Sequence, residues 1–111
     1  MSNHEEAACA LGRQPDYSGV EIVALNPEPA PADYREAMKL AQITAEARLG
    51  GAMLLSWFDR DRSFESPQHT SHCDRPGAIP GYVNFGLSHG ARLKVDIGQG
   101  RFVFFFLPLG E

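Results

Sequence analysis

GVEIVALNPEPAPADYREAMKLAQITAEARLGGAMLLSWF, residues 19–58, reads as strand, helix, strand, and this reading decides the fold class. Gly19 to Leu25 is rich in β-branched and apolar residues and stops at Asn26-Pro27. Pro27, Pro29 and Pro31 then stiffen a linker, and Pro31 suits the first position of a helix, with Asp33 placing negative charge in its first turn. The helix is expected over about 31–49. At roughly 100° per residue, Tyr34, Met38, Ala41, Ala45 and Leu49 share one face, widened by Leu40 and Ala47. Arg35, Lys39, Gln42 and Glu46 form the wet face, and Gly50-Gly51 ends the helix. Ala52 to Phe58 is apolar on both faces, the mark of a strand inside a sheet. A β-α-β unit of this length implies two parallel strands joined by a right-handed crossover.

Downstream, residues 59–80 resist assignment, because Pro67, Pro76, Gly77 and Pro80 interrupt every pattern. Their mixture of Pro, Phe, Ile and His is unlike a Gly/Ser linker, so an ordered, functional loop is expected. The remainder reads as three strands. They are Tyr82 to Leu87, the alternating segment 91–97, and 102–107 (Phe-Val-Phe-Phe-Phe-Leu), which is apolar on both faces. The expected fold is α+β: a β-α-β unit, a long loop and a three-stranded antiparallel meander, forming one mixed sheet with a helix on one face. The last strand should be central and the half-polar strand 91–97 nearer an edge. Residues 1–17 read as a tail and 18–111 as a single domain.

Composition narrows the function classes. With 111 residues there is room for one core, and 43% hydrophobic and 22% charged residues are ordinary for a folded chain. Net charge is −4 and only two lysines occur, Lys39 and Lys94, so no nucleic-acid partner is expected. No apolar run approaches a membrane span. Met1 to Glu6 lacks the basic start and apolar stretch of a signal peptide, and Cys9 and Cys73 are too few for a disulfide framework, so a cytoplasmic location with reduced thiols is expected.

Ligands of sheets with parallel strands sit beyond the carboxyl ends of those strands, here Asn26 to Glu28 and Asp59 to Arg62. The long loop starts at the second of these and holds the densest chemistry in the chain. The candidate ligand-binding set is Asp59, Arg60, Arg62, His69, His72, Cys73 and Arg75. Imidazole and thiolate are zinc ligands, so His69 and one of the adjacent pair His72 and Cys73 can join a carboxylate such as Asp59 or Asp61. No second Cys/His pair closes the set, and neither a metal nor a cofactor is expected. His72-Cys73 matches the start of the tyrosine-phosphatase signature H-C-x-x-G-x-x-R, but Pro76 replaces its glycine and Ile79 its arginine. Arginines among Ser and Thr, with Trp57, Phe58 and Phe64 nearby, can hold a small anionic ligand.

These features favour a non-catalytic binding or interaction module. The alternative is a small enzyme or metalloprotein that uses the His/Cys/Asp-rich loop 59–75. Self-association is expected as well, because one helix covers one sheet face. The other face would expose Trp57, Val103, Phe105 and Leu107, or their neighbours of opposite parity.

Overall fold

The structure, a computed structural model, describes residues 15–68 and 79–110. In chain order its elements are β1 (Glu21–Leu25), α1 (Tyr34–Leu49), β2 (Ala52–Asp59), a single 3-10 turn (Arg60–Arg62), β3 (Phe64–Ser66), α2 (Gly81–Ser88), β4 (Leu93–Ile97) and β5 (Phe102–Pro108). The strands form one mixed sheet in the order β1-β4-β5-β2-β3. β1 pairs parallel with β4, and the other pairs are antiparallel. The α+β class and the mixed sheet with a packed helix are therefore as expected.

Local chemistry sets the bounds of α1. Asp33, in extended conformation, is its N-cap and accepts from the amides of Arg35 and Glu36 at 3.0 and 3.3 Å. Glu36 reaches back to accept from the Ala32 amide, one residue before the cap, at 2.9 Å. Pro31 thus lies ahead of the helix rather than at its first position. At the other end Gly50 takes φ 76°, a left-handed value that costs glycine nothing, and donates to Glu46 O at 2.8 Å. Ala37, Ala41 and Ala45 are the buried stripe. They lie on Phe102, Phe104, Phe106, Leu93, Val95, Ile97 and Val23, which form the larger of two cores. Tyr34, Met38, Leu40 and Leu49 close its flanks.

Three expectations need correction. Residues 82–87 are not a strand; they lie in α2. Both flanks of β4 are taken, by β1 and β5, so a strand before it has no free edge to join there. What the sheet needs at that point is a cover for its second face, and Gly86 lets a helix come close enough to supply one. Its missing Cβ would sit 2.7 Å from Phe105 Cγ. Second, β1 and β2 run the same way but are not neighbours, because β4 and β5 are inserted between them. Third, the stretch from 59 is not structureless: the 3-10 turn and β3 occupy its first part. Order across the rest of the loop lies outside the described residues.

The second core lies under α2. Val83, Ala91, Val103 and Phe105 are buried there, with Tyr17, Leu55, Phe58, Ile79, Tyr82 and Leu87 packed around them. Glu65 on β3 accepts from the Tyr82 amide at 3.0 Å, placing a carboxylate at the start of α2. The buried Ser56 hydroxyl donates to Tyr82 O at 2.7 Å. The β2–β5 register slips between Leu54 and Ser56, which leaves Leu55 as an extra residue. Trp57 faces the first core, where it stacks on Tyr34 and Phe104, and Phe58 faces the second, stacked on Tyr82. The apolar face that motivated self-association is thus closed over β5 and β2 by the chain's own helix.

Candidate functional site

β2 and β4 end on the same side of the sheet, and β1, parallel to β4, ends there too. The linker 26–33, the 3-10 turn and the β4–β5 turn meet at that end. Asp59, the last residue of β2, pairs with Phe102 and is 1% exposed. A carboxylate buried this deeply needs partners, and it has two. One oxygen accepts from the Asp61 amide at 3.0 Å, which starts the 3-10 turn, and the other accepts from Arg62 Nε at 2.6 Å. The Arg62 guanidinium lies 4.0 Å from the Tyr34 ring centre and 4.8 Å from that of Phe64. Both rings belong to an aromatic cluster with Trp57 and Phe104. Arg62 is therefore aimed by a buried anion and by two ring faces, yet its side chain stays 46% exposed.

Arg101, after the β4–β5 turn, braces the arrangement. Its Nε donates to both oxygens of Asp61 at 3.0 and 3.1 Å, its Nη2 to one of them at 2.7 Å, and its Nη1 to Pro31 O at 3.0 Å. Its own carbonyl accepts from the Arg60 amide at 2.8 Å. One side chain thus ties the linker, the 3-10 turn and the hairpin together. The Arg101 hydrogen bonds hold the Asp61 carboxyl below the usual carboxylate range, although its side chain is only partly buried. Because the folded value is the lowered one, the pair's stabilising effect is complete above aspartate's ordinary pKa. It is lost as pH falls through the lowered value. An NMR titration of the Asp61 carboxyl is expected to show that depressed midpoint, restored to the ordinary range in Arg101→Gln; an unchanged midpoint in that variant would refute the assignment.

The charge balance matters for chemistry. Asp59 pairs with Arg62 and Asp61 with Arg101, which leaves Arg60 without an ionic partner among the described residues. Among the described residues no three His, Cys, Asp or Glu side chains converge as a metal ligand set.

Of the expected site residues, Asp59, Arg60 and Arg62 come together, with Asp59 as a buried anchor. His69, His72, Cys73 and Arg75 lie outside the described residues. Phe64 and Trp57 flank Arg62 as a stacking surface, whereas Phe58 is on the opposite face. Tyr34 and Arg101 were not anticipated here. The signal for Arg101 was available, since the turn before it lies at the end of the sheet where β2 stops once β4 and β5 alternate in direction. His89 caps α2, its ring stacked on Phe85 and its Nδ1 2.8 Å from Phe85 O. At the far end of the sheet Asp16, Ser18, Leu87, Ala91 and Arg92 line an open depression of about 440 Å³. The Asp16 carboxylate there is occupied by the Ser18 amide and hydroxyl.

A family model described as a domain of unknown function, DUF5619, matches residues 20–106, from just before β1 to within two residues of the end of β5. The chain belongs to the DUF5619 family. Residues 20–106 include every strand and both helices of the DUF5619 fold apart from the last residues of β5, and all of the Asp59–Arg62–Arg101 arrangement. The structure is similar to the crystal structure of a novel protein, AF1514, from Archeoglobus fulgidus, with a TM-score of 0.65 at 23% identity. The match covers 83% of the present chain and 98% of that one, and it shows a shared fold. No curated protein matches the DUF5619 chain. No described helix is long and apolar enough to cross a membrane.

Proposed function

We propose that this protein is a small non-catalytic binding module that takes a small anionic ligand, a carboxylate or phosphate, at the carboxyl end of β2. The observation that carries this reading is Arg62. Its Nε is engaged by buried Asp59 and its plane is held against Tyr34 and Phe64, while its two Nη groups have no assigned acceptor among the described residues. That leaves the outer edge of the guanidinium, the one that binds carboxylate and phosphate through two parallel bonds. Arg60, in the same 3-10 turn, adds a charge with no ionic partner among the described residues. The cost of orienting a long side chain is met before the ligand arrives, which favours binding.

The test is titration with inorganic phosphate and with succinate, followed by NMR on the arginine Nε–H and backbone amide signals. Saturable shifts are expected at Arg62, Arg60 and Asp61, weakening as ionic strength rises. Hydrogen bonds to a charged group contribute about 1.5–3 kcal/mol, so Arg62→Ala should weaken binding roughly tenfold or more. Arg62→Lys keeps the charge but loses the fork, and Asp59→Asn keeps the arginine but loosens its aim; both should fall between. Shifts that never saturate, or that persist unchanged in Arg62→Ala, would refute the site.

A further inference from the structure

β1 is the outer strand on its side of the sheet. Parallel pairing with β4 uses the backbone groups of alternate residues, and the bonds at the two ends of the pair show which. Glu21 N–H donates to Arg92 O, and Leu25 O accepts from Gly98 N–H, each at 2.9 Å. Glu21, Val23 and Leu25 therefore turn their N–H and C=O groups toward β4, and Ile22 and Ala24 turn theirs away from the sheet. Among the described residues no backbone group meets these outward ones. The side chains of the same two residues are open as well, Ile22 being 51% exposed. The features that keep an edge single are missing from β1: it has no proline, no lysine and no bulge. The other edge strand, β3, has three residues and is followed at once by Pro67, which has no N–H to offer.

We propose that β1 is a homodimer interface, pairing antiparallel with β1 of a second copy about a two-fold axis at Val23. That axis sets Ile22 opposite Ala24 of the partner subunit, and Ala24 opposite the partner's Ile22. Residues whose groups point outward then form the bonded pairs of an antiparallel ladder, while Val23 faces its own copy as the non-bonded pair on the axis. All the outward N–H and C=O groups of Ile22 and Ala24 are satisfied by symmetry, and no other register does this for both residues at once. The match extends to the side chains, because each large Ile22 meets a small Ala24 on the α2 side of the sheet. Glu21, the one charged residue of β1, is already neutralised by Arg48 and meets Leu25 of the partner subunit, so no like charges are brought together. A closed two-fold pair also leaves no edge to propagate on this side.

Sedimentation equilibrium from low micromolar concentration upward is expected to show the 12.2 kDa chain doubling in mass. Ala24→Pro removes only an outward N–H and leaves the bonds to β4 in place, and a proline is tolerated on an edge strand in that orientation. Ala24→Pro and Ile22→Lys should each be monomeric over the same range with a cooperative unfolding transition retained. Amide exchange in the unaltered chain gives a readout independent of any variant: Ile22 and Ala24 amides should be protected when concentrated and lose that protection on dilution. A monomer mass throughout the range would overturn the proposal. So would a dimer untouched by both substitutions, or Ile22 and Ala24 amides protected equally at every dilution, the result expected if the chain covers its own edge.

Discussion

Replacing Phe104 by alanine is expected to destabilise the fold by about 3–5 kcal/mol. Phe104 is fully buried in the central strand, pairs across β4 with Val95 and across β2 with Trp57, and stacks on the Trp57 ring. The cost of such a truncation depends on how far the surroundings can collapse into the space left. Collapse is hindered here. The helix above presents Ala37, Ala41 and Ala45, which have no length to extend, and the sheet is pinned by strands on both sides of β5. A loss of this size is a large share of the ~5–15 kcal/mol typical of a folded domain. Urea unfolding should show the midpoint falling steeply with little change in slope. A loss under about 1 kcal/mol would mean that the core is looser than the packing described here.

Gly86 offers a test in which two effects predict opposite signs. Its backbone is helical, so on propensity alone Gly86→Ala should stabilise α2 by roughly 0.5–1 kcal/mol. A Cβ at that position, however, would lie 2.7 Å from Phe105 Cγ, 2.9 Å from Phe105 Cβ and 2.9 Å from Ser56 Oγ. Phe105 is fully buried and its Cβ is tied directly to the central strand, so the neighbour cannot swing aside. The helix has to lift instead. Overpacking of this kind costs about 1–3 kcal/mol, and Gly86→Val should exceed Gly86→Ala within or beyond that range. Lifting α2 would also stretch the Ser56–Tyr82 hydrogen bond and unpack Tyr82, whose hydroxyl burial pushes up to about 12. Thermal unfolding of both variants, with the Tyr82 phenol titration read by ultraviolet absorbance, separates the cases. A stabilised Gly86→Ala with an unchanged titration would place α2 farther from the sheet.

The parts of the fold that were legible in the sequence are those where one local pattern has one solution. The segments read as strands at 19–25, 52–58, 91–97 and 102–107 hold strands at 21–25, 52–59, 93–97 and 102–108, and the both-face apolar run Phe-Val-Phe-Phe-Phe-Leu is indeed the middle strand. Helix α1 was readable from its periodicity, although the three alanines and not the larger residues prove to be its buried stripe. Residues 82–87 were misread because Val83, Phe85 and Leu87 alternate over a stretch too short to separate the two periods. What decides there is remote: the open face of the sheet, the Glu65 carboxylate at the helix start and the gap that Gly86 leaves over Phe105. The same holds for the site. Asp59, Arg60 and Arg62 were legible as a charged run at a strand end. The burial of Asp59, the stacking on Tyr34 and the brace from Arg101 depend on strand order, which no local pattern encodes.

That strand order also governs when the protein can become itself during synthesis. β1 and β2 do not belong to one sheet until β4 and β5 fill the space between them; Glu21 waits for Leu93, and Ala52 for Pro108. A nascent chain that has emerged only through α2 holds β1, the β2–β3 pair and both helices, and no centre for any of them. Closure of such distant pairs is entropically slow, and it exposes apolar strands meanwhile. The most hydrophobic segment, β5, follows every other strand of the sheet in the chain, so the hazard is brief: the strand that would aggregate most readily arrives when its slot is already flanked.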